Sequence, residues 1–289
     1  MNGLTLTREM DHQPQRLDLR DVVPERLLGL PLDAIRQFPI LANGQPARLG
    51  DYLSVSEGPP QQLILRGELS RCDRIGSGMT SGDLLVVGDV GDFLASPMRG
   101  GRLLLQGSAG RYAASSLRSG MVQIQGNVGE YAAAALPTAG RGMSGGTLHI
   151  GGNCGPWVAA HMRRGTVMVL GDIEAGGASG MIAGTLVVAG KVAMPLGCGM
   201  TRGSLLLLQP SAVLAEQGPD GFTRPQDCEL SFLPLLLREI ARHLPPALSQ
   251  ELPRSRWKRC LGDRAAGGQG EVLLREAPPA RPPSSMAHA

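Results

Sequence analysis

Several things are scarce in this chain of 289 residues. Aromatic residues make up only 3% of it, so the core cannot be built around large rings. The five cysteines, Cys72, Cys154, Cys198, Cys228 and Cys260, are odd in number, widely spaced and include no Cys-x-x-Cys pair. That argues against a zinc or iron–sulfur site and against a disulfide framework. No apolar run reaches eighteen residues, and the N-terminus lacks a basic segment followed by an apolar one. A reduced, cytoplasmic setting away from membranes is therefore expected. A net charge of +3 does not by itself call for a nucleic-acid partner. Gly76-Ser77-Gly78 has no Walker lysine and no helix after it, so it is not read as a phosphate loop. His149 and His161 are twelve residues apart in non-equivalent positions and give no metal pair. No nucleophile-elbow pattern supports a hydrolytic triad.

What the chain has in abundance is glycine, at 41 residues, and much of it is periodic. Gly82, Gly101, Gly120, Gly146, Gly165, Gly184 and Gly203 are separated by 19 residues, except for one gap of 26. Leu84, Leu103, Val122, Leu148, Val167, Leu186 and Leu205 follow two positions later. A second glycine closes six of the seven lines, at 88, 107, 126, 152, 171 and 190. Three residues before each opening glycine stand Met79, Met98, Leu117, Met143, Met162, Met181 and Met200. That column takes six of the twelve methionines, which makes chance a poor explanation. The long gap places a seven-residue insertion within Ala132–Gly142, and the enlarged loop Tyr131–Arg141 is a candidate partner contact.

Within each line the apolar residues alternate, as in Thr185-Leu186-Val187-Val188-Ala189, which is the period of a strand. Nineteen residues are too few for a strand–helix–strand unit. They suit one coil of a solenoid with glycine corners at positive φ. The expected fold has an all-β core: a right-handed β-solenoid of about seven 19-residue coils, about 34 Å long at one strand spacing per coil. The methionine column becomes an internal ladder of flexible filler. At Gly165, valine should cost about 1–3 kcal/mol if the corner needs positive φ. Residues 1–60 are expected to form a mixed α/β N-terminal cap and residues 61–210 the glycine-rich β-helix. In the cap, Pro24 and Pro31 open short helices and Asn43-Gly44 is a turn. The repeat stops at Pro210, residues 211–229 read as loop, and Pro234–Leu244 reads as an apolar helix. Residues 211–275 make a C-terminal cap with that helix, and residues 276–289 a disordered tail.

Asp89, Asn127, Asn153, Asp172 and Lys191 share the corner after the closing glycine, where local turn chemistry explains the Asp and Asn. No two acidic residues share a column in adjacent coils within the motif, apart from loosely placed corner Asp residues. That weakens a flank active site of the kind polysaccharide-active β-helices use. One column is basic. Arg99, Arg118 and Arg163 follow the methionines, with Arg164 and Arg202 one step further. The bland reading is a row of solvated corner residues. The functional one is a strip for an acidic partner or polyanionic ligand. On that reading, charge reversal at Arg99 and Arg118 weakens binding in a salt-dependent way.

Four stretches carry a resemblance. They are Leu49-Gly50-Asp51-Tyr52-Leu53; the segment Cys72-Asp73-Arg74-Ile75-Gly76-Ser77-Gly78-Met79-Thr80-Ser81-Gly82; the repeats themselves; and the segment from Leu261-Gly262-Asp263-Arg264 to Gly267-Gly268-Gln269-Gly270-Glu271. Across roughly residues 45–275 the chain resembles the formylmethanofuran dehydrogenase C-subunit family, which includes the C subunit of the bacterial formyltransferase/hydrolase complex. Its β-helix is also similar to the C-terminal domain of the glutamate synthase large subunit. The resemblance implies a scaffold subunit without an active site of its own. It implies amidohydrolase-like, formyltransferase and dehydrogenase-B-like partners acting in formaldehyde oxidation to formate. It also implies that the complex, not this chain, uses a methanofuran-type carrier with a polyglutamate tail and tetrahydromethanopterin. The excess of arginine over lysine, with abundant Ala, Pro, Gly and Leu, suggests a GC-rich bacterium and favours the hydrolytic complex. The alternatives are the C subunit of a molybdenum or tungsten formylmethanofuran dehydrogenase and a glutamate-synthase-like spacer domain.

Overall fold

The computed structural model describes residues 3–9 and 15–276, so the expected tail of residues 276–289 lies outside the described residues except for Glu276. Alternation along each repeat sets the strands. In Asp83–Val87 the side chains of Leu84 and Val86 turn inward and are buried, while Leu85 faces out and is half-exposed. Parallel pairing joins equivalent residues of successive repeats: Leu84 with Leu103, Leu103 with Val122, Val122 with Leu148, Leu148 with Val167, Val167 with Leu186, and Leu186 with Leu205. The fold is mostly β, with a large 13-stranded sheet and few helices. A second wall is joined by single bridges that run from Val90 through Ala109, Val128, Cys154 and Ile173 to Val192. Met79, Met98, Leu117, Met143, Met162, Met181 and Met200 are fully buried between the walls.

Sheet edges need covering, and both ends do this with antiparallel strands. Gly3–Arg8 lies parallel to Gln62–Gly67 and is covered by antiparallel Ser54–Gly58. At the other end the stack does not stop at Pro210. Gln269–Arg275 adds in parallel to Arg202–Leu207, with Gly203 opposite Gly270, Leu205 opposite Val272 and Leu207 opposite Leu274. Gly270-Glu271-Val272-Leu273-Leu274 repeats the glycine-x-apolar-x-apolar pattern, so the signal was present but lay beyond a long excursion. Trp257–Gly262 then closes the edge antiparallel. The excursion is not simply loop after Pro210, because Ala212–Gln217 is helical, capped by the Ser211 hydroxyl accepting from the Leu214 N–H.

Helix Leu233–Ala241 lies on the outer face of the last strands. Leu233, Leu237 and Ile240 pack with Met168, Val187, Leu206 and Leu273. This explains why the later strands are apolar on both faces, whereas Gln123 faces solvent upstream.

The glycines and the corners differ from expectation. The opening glycines do have positive φ, +106° at Gly165 for example. The closing glycines from Gly107 to Gly190 do not. At Gly190 a Cβ would lie 2.4 Å from the Gly171 carbonyl oxygen, so close stacking demands glycine there. Conversely, Ala95, Ala114, Ala133, Ala159 and Ala178 hold positive φ with a Cβ present. Their cost is offset by inter-repeat hydrogen bonds, such as Ala114 N–H to Leu94 O at 2.8 Å. The polar corner is likewise a ladder between repeats and not a set of local turns. The Asn127 Oδ1 accepts from the Asn153 N–H, the Asn153 Oδ1 from Asp172, and the Asp172 Oδ1 from Lys191, at 2.7–2.9 Å.

His149 faces outward beneath the chain that follows the helix, with its ring centroid 4.2 Å from that of His243. Burial first, and then the charge of His243, bring its pKa down from 6.5 to about 4. Arg242 lines the same recess. The folded protein therefore resists a proton that the unfolded chain accepts between those values, and stability falls as the pH drops from about 6.5 towards 4. Melting temperatures across that window should decline less steeply in His149→Gln than in the wild type. Identical profiles would remove His149 from the acid response.

Candidate functional site

The geometry of the basic column follows from the methionine beside it. Each buried methionine points inward, so the next residue points out. The Arg99 N–H bonds to Met79 O at 2.8 Å, Arg118 N–H to Met98 O at 2.9 Å, and Arg163 N–H to Met143 O at 2.9 Å. Each side chain thus stands in register on the repeat before it. Along the column run Thr80, Arg99, Arg118, Ser144 and Arg163, with the three arginines exposed.

The inserted loop borders this column. Ala135 N–H bonds to Ala160 O and Gly142 N–H to His161 O, which ties the loop to the following repeat. Its last residues bring Arg141 to the strip. Arg118, Arg141 and Arg163, with Ser116, Ser144 and the Ala139–Gly142 backbone, line one open concavity of about 500 Å³. Among the described residues, no acidic side chain lines it. Among the same residues, none of Arg99, Arg118, Arg141, Arg163 and Arg164 takes part in an ion pair. The structure therefore joins two of the predicted arginines with one that sequence reasoning passed over. Arg141 is legible only as part of the insertion, since the 19-residue register has no column for it. Arg99 lies one repeat upstream and Arg164 starts the strand Arg164–Val169. Arg202 does not join the pocket, because its Nε donates to the Gln269 Oε1 at 2.8 Å.

Elsewhere on the surface, Arg16, Arg20, Arg74, Arg102 and Arg111 are paired with carboxylates. Asp73 and Asp92 do share a column in adjacent repeats, which the scattered acids of the sequence concealed. Arg16 reaches Asp73 at 2.5 Å and Asp92 at 3.2 Å. Each carboxylate also accepts a backbone N–H of the next repeat, from Asp92 and Arg111 respectively. Burial opposes charge on the neighbouring Asp18, but hydrogen bonds from Arg20 outweigh it and hold this carboxyl below the usual range. Asp18 is therefore held as an ion-pair partner, not poised as a proton donor. Among the described residues, no three His, Cys, Asp or Glu side chains gather as a metal site.

Aromatic scarcity also hid a feature. Phe93, Tyr112, Tyr131 and Trp157 follow the 19, 19, 26 spacing and stack face to face on the surface, with centroids 5.2, 5.0 and 6.4 Å apart. Arg74 caps one end, 4.6 Å over the Phe93 ring. At the other end Gly176 lies under Trp157, where a Cβ would meet the ring at 2.7 Å. Four of the nine aromatic residues are placed here, outside the core.

No family model matches the chain. Among curated relatives, the C subunit of the formyltransferase/hydrolase complex Fhc of Methylorubrum extorquens is 34% identical over 81 residues, which is 28% of this chain and 31% of that protein. The C subunit of the molybdenum-containing formylmethanofuran dehydrogenase 1 of Methanothermobacter thermautotrophicus is 34% identical over 91 residues, 31% of this chain and 22% of that protein. The aligned stretches thus span about a fifth to a third of these relatives. Among solved structures, a chain of the formyltransferase/hydrolase complex FhcABCD from Methylorubrum extorquens, crystallised with methylofuran, matches with a TM-score of 0.83 and 32% identity. That match covers 95% of this chain and 100% of the other.

Proposed function

Because this chain belongs to the formylmethanofuran dehydrogenase C-subunit family, we propose that it is the C subunit of a formyltransferase/hydrolase complex. The observation that carries this is the match, at 32% identity, over the whole length of a chain from the bacterial complex. On this reading the repeat stack is a right-handed β-solenoid of about seven coils. The strong preference of parallel strand connections for right-handed crossovers supports the hand. The chain is a scaffold without its own active site. The tied-up carboxylates of Asp73 and Asp92 support this, as does the open, solvent-facing form of the grooves. Amidohydrolase-like, formyltransferase and dehydrogenase-B-like partners then carry out the chemistry of one-carbon oxidation to formate. A methanofuran-type carrier and tetrahydromethanopterin serve those partners. No helix among the described residues is long and apolar enough to cross a membrane, and the proposed complex is cytoplasmic. The basic strip is offered to an acidic partner or to a glutamate-rich carrier tail.

Native co-purification tests this. With the chain tagged at its C-terminus in its own host, mass spectrometry should find amidohydrolase-like and formyltransferase subunits, without molybdenum or tungsten. A molybdenum or tungsten subunit would move the protein to the redox complex. Co-purifying flavin and iron–sulfur absorbance would favour the glutamate-synthase-like reading. A chain isolated alone would overturn the scaffold reading.

A further inference from the structure

We infer that the inserted loop completes a docking site for an extended, acidic peptide segment of a partner subunit, built from Arg99, Arg118, Arg141 and Arg163. The inference rests on the reading of the chain as part of a multi-subunit complex. Four observations carry it. The arginines are exposed and form no ion pair among the described residues, so their charge is open to a partner. Among the described residues, no carboxylate lines the concavity. In the fourth repeat the column carries Ser144 in place of arginine, and the loop brings Arg141 to that level. Finally, the strip is long. From Arg99 to Arg163 there are three repeat steps, about 14 Å at one strand spacing each.

That length selects the ligand. A single phosphate spans a fraction of it. An extended peptide, rising about 3.3 Å per residue, covers it with about four residues, and its carboxylates suit the planar fork of arginine. Single-stranded nucleic acid would also track a basic strip, but it gains much of its affinity by stacking bases on aromatic rings. Among the described residues, no aromatic side chain lines this concavity, since the ring stack belongs to a different column. The loop makes the difference between a row of solvated arginines and a walled groove.

The test uses the purified full chain and a fluorescent octapeptide of alternating Asp and Glu, with octathymidylate and inorganic phosphate as competing probes. Anisotropy should show peptide binding that weakens steeply with added salt, as contacts between exposed charges do. Arg118→Glu with Arg163→Glu should weaken it on the order of tenfold or more, and Arg141→Ala by a smaller factor. Circular dichroism should show both variants folded, since all three side chains are exposed. Binding of octathymidylate as tight as the peptide overturns the assignment, as does displacement of the peptide by equimolar phosphate, which would mark an adventitious anion site only. No binding by the wild type also overturns it, and unchanged binding in Arg141→Ala removes the loop from the site. If partners co-purify but the peptide does not bind, this inference fails while the scaffold reading stands. If the chain purifies alone, the scaffold reading fails first, whatever the peptide does.

Discussion

Gly165→Val lowers stability by about 2–6 kcal/mol, enough to reduce the melting temperature by on the order of 10 °C. Two costs combine. Gly165 has φ +106°, where a β-branched side chain is strained by about 1–3 kcal/mol. Its Cβ would also meet the Gly146 carbonyl oxygen and the Met143 Cε, both at 2.7 Å. The Met143 end can move within limits, but the carbonyl belongs to the stack, so overpacking adds about 1–3 kcal/mol. Gly140 is the control. It lies in the inserted loop, has no positive φ, and a Cβ added there would have no atom within 4 Å. Valine there should leave the melting curve nearly unchanged. Equal losses at the two sites would mean that composition, not stacking geometry, governs the glycines.

Leu237→Asp strips the C-terminal helix from the sheet. Leu237 is buried against a cluster of Met168, Val187, Leu206 and Leu273 on the outer face. Exchanging it for a carboxylate forfeits about 1.5–3 kcal/mol of apolar burial and adds the penalty for placing charge in an apolar contact. The interior cluster of the stack is separate from this outer one. The expected result is therefore local opening. Hydrogen exchange should accelerate over residues 233–252 while Leu84–Ile150 stays protected, and the uncovered face should bind a hydrophobic dye. Leu235 is 70% exposed, and Leu235→Asp should change neither readout. Global unfolding by Leu237→Asp would show that the cover and the stack fold as one unit.

The repeat was legible because stacking makes every nineteenth residue meet the same neighbours. Such a constraint writes itself into the sequence as columns: the opening glycines, the buried methionines and the alternating leucines and valines. The basic column could be read for the same reason. Features built across the register could not. Arg141 belongs to the insertion and has no column, yet it faces the same concavity as Arg118 and Arg163. Gln269–Arg275 obeys the strand pattern, but a 67-residue separation from its partner strand hid the pairing. Arg16 lies far from Asp73 and Asp92 in sequence, so those two acids appeared scattered until folding brought one guanidinium to both.

Local chemistry by itself determined that this protein is a β repeat with a thin apolar interior, because strand alternation and glycine spacing are short-range and repeat with the chain. Tertiary structure alone decided which glycines answer to φ and which to crowding, which polar corner groups bond between repeats, and which arginines are left without carboxylates. These depend on distances between segments that no spacing along one chain encodes. The inserted loop shows the division clearly. Its length can be counted from the gap of 26, but the pocket it walls exists only once the loop is tied to the next repeat through Gly142 and His161.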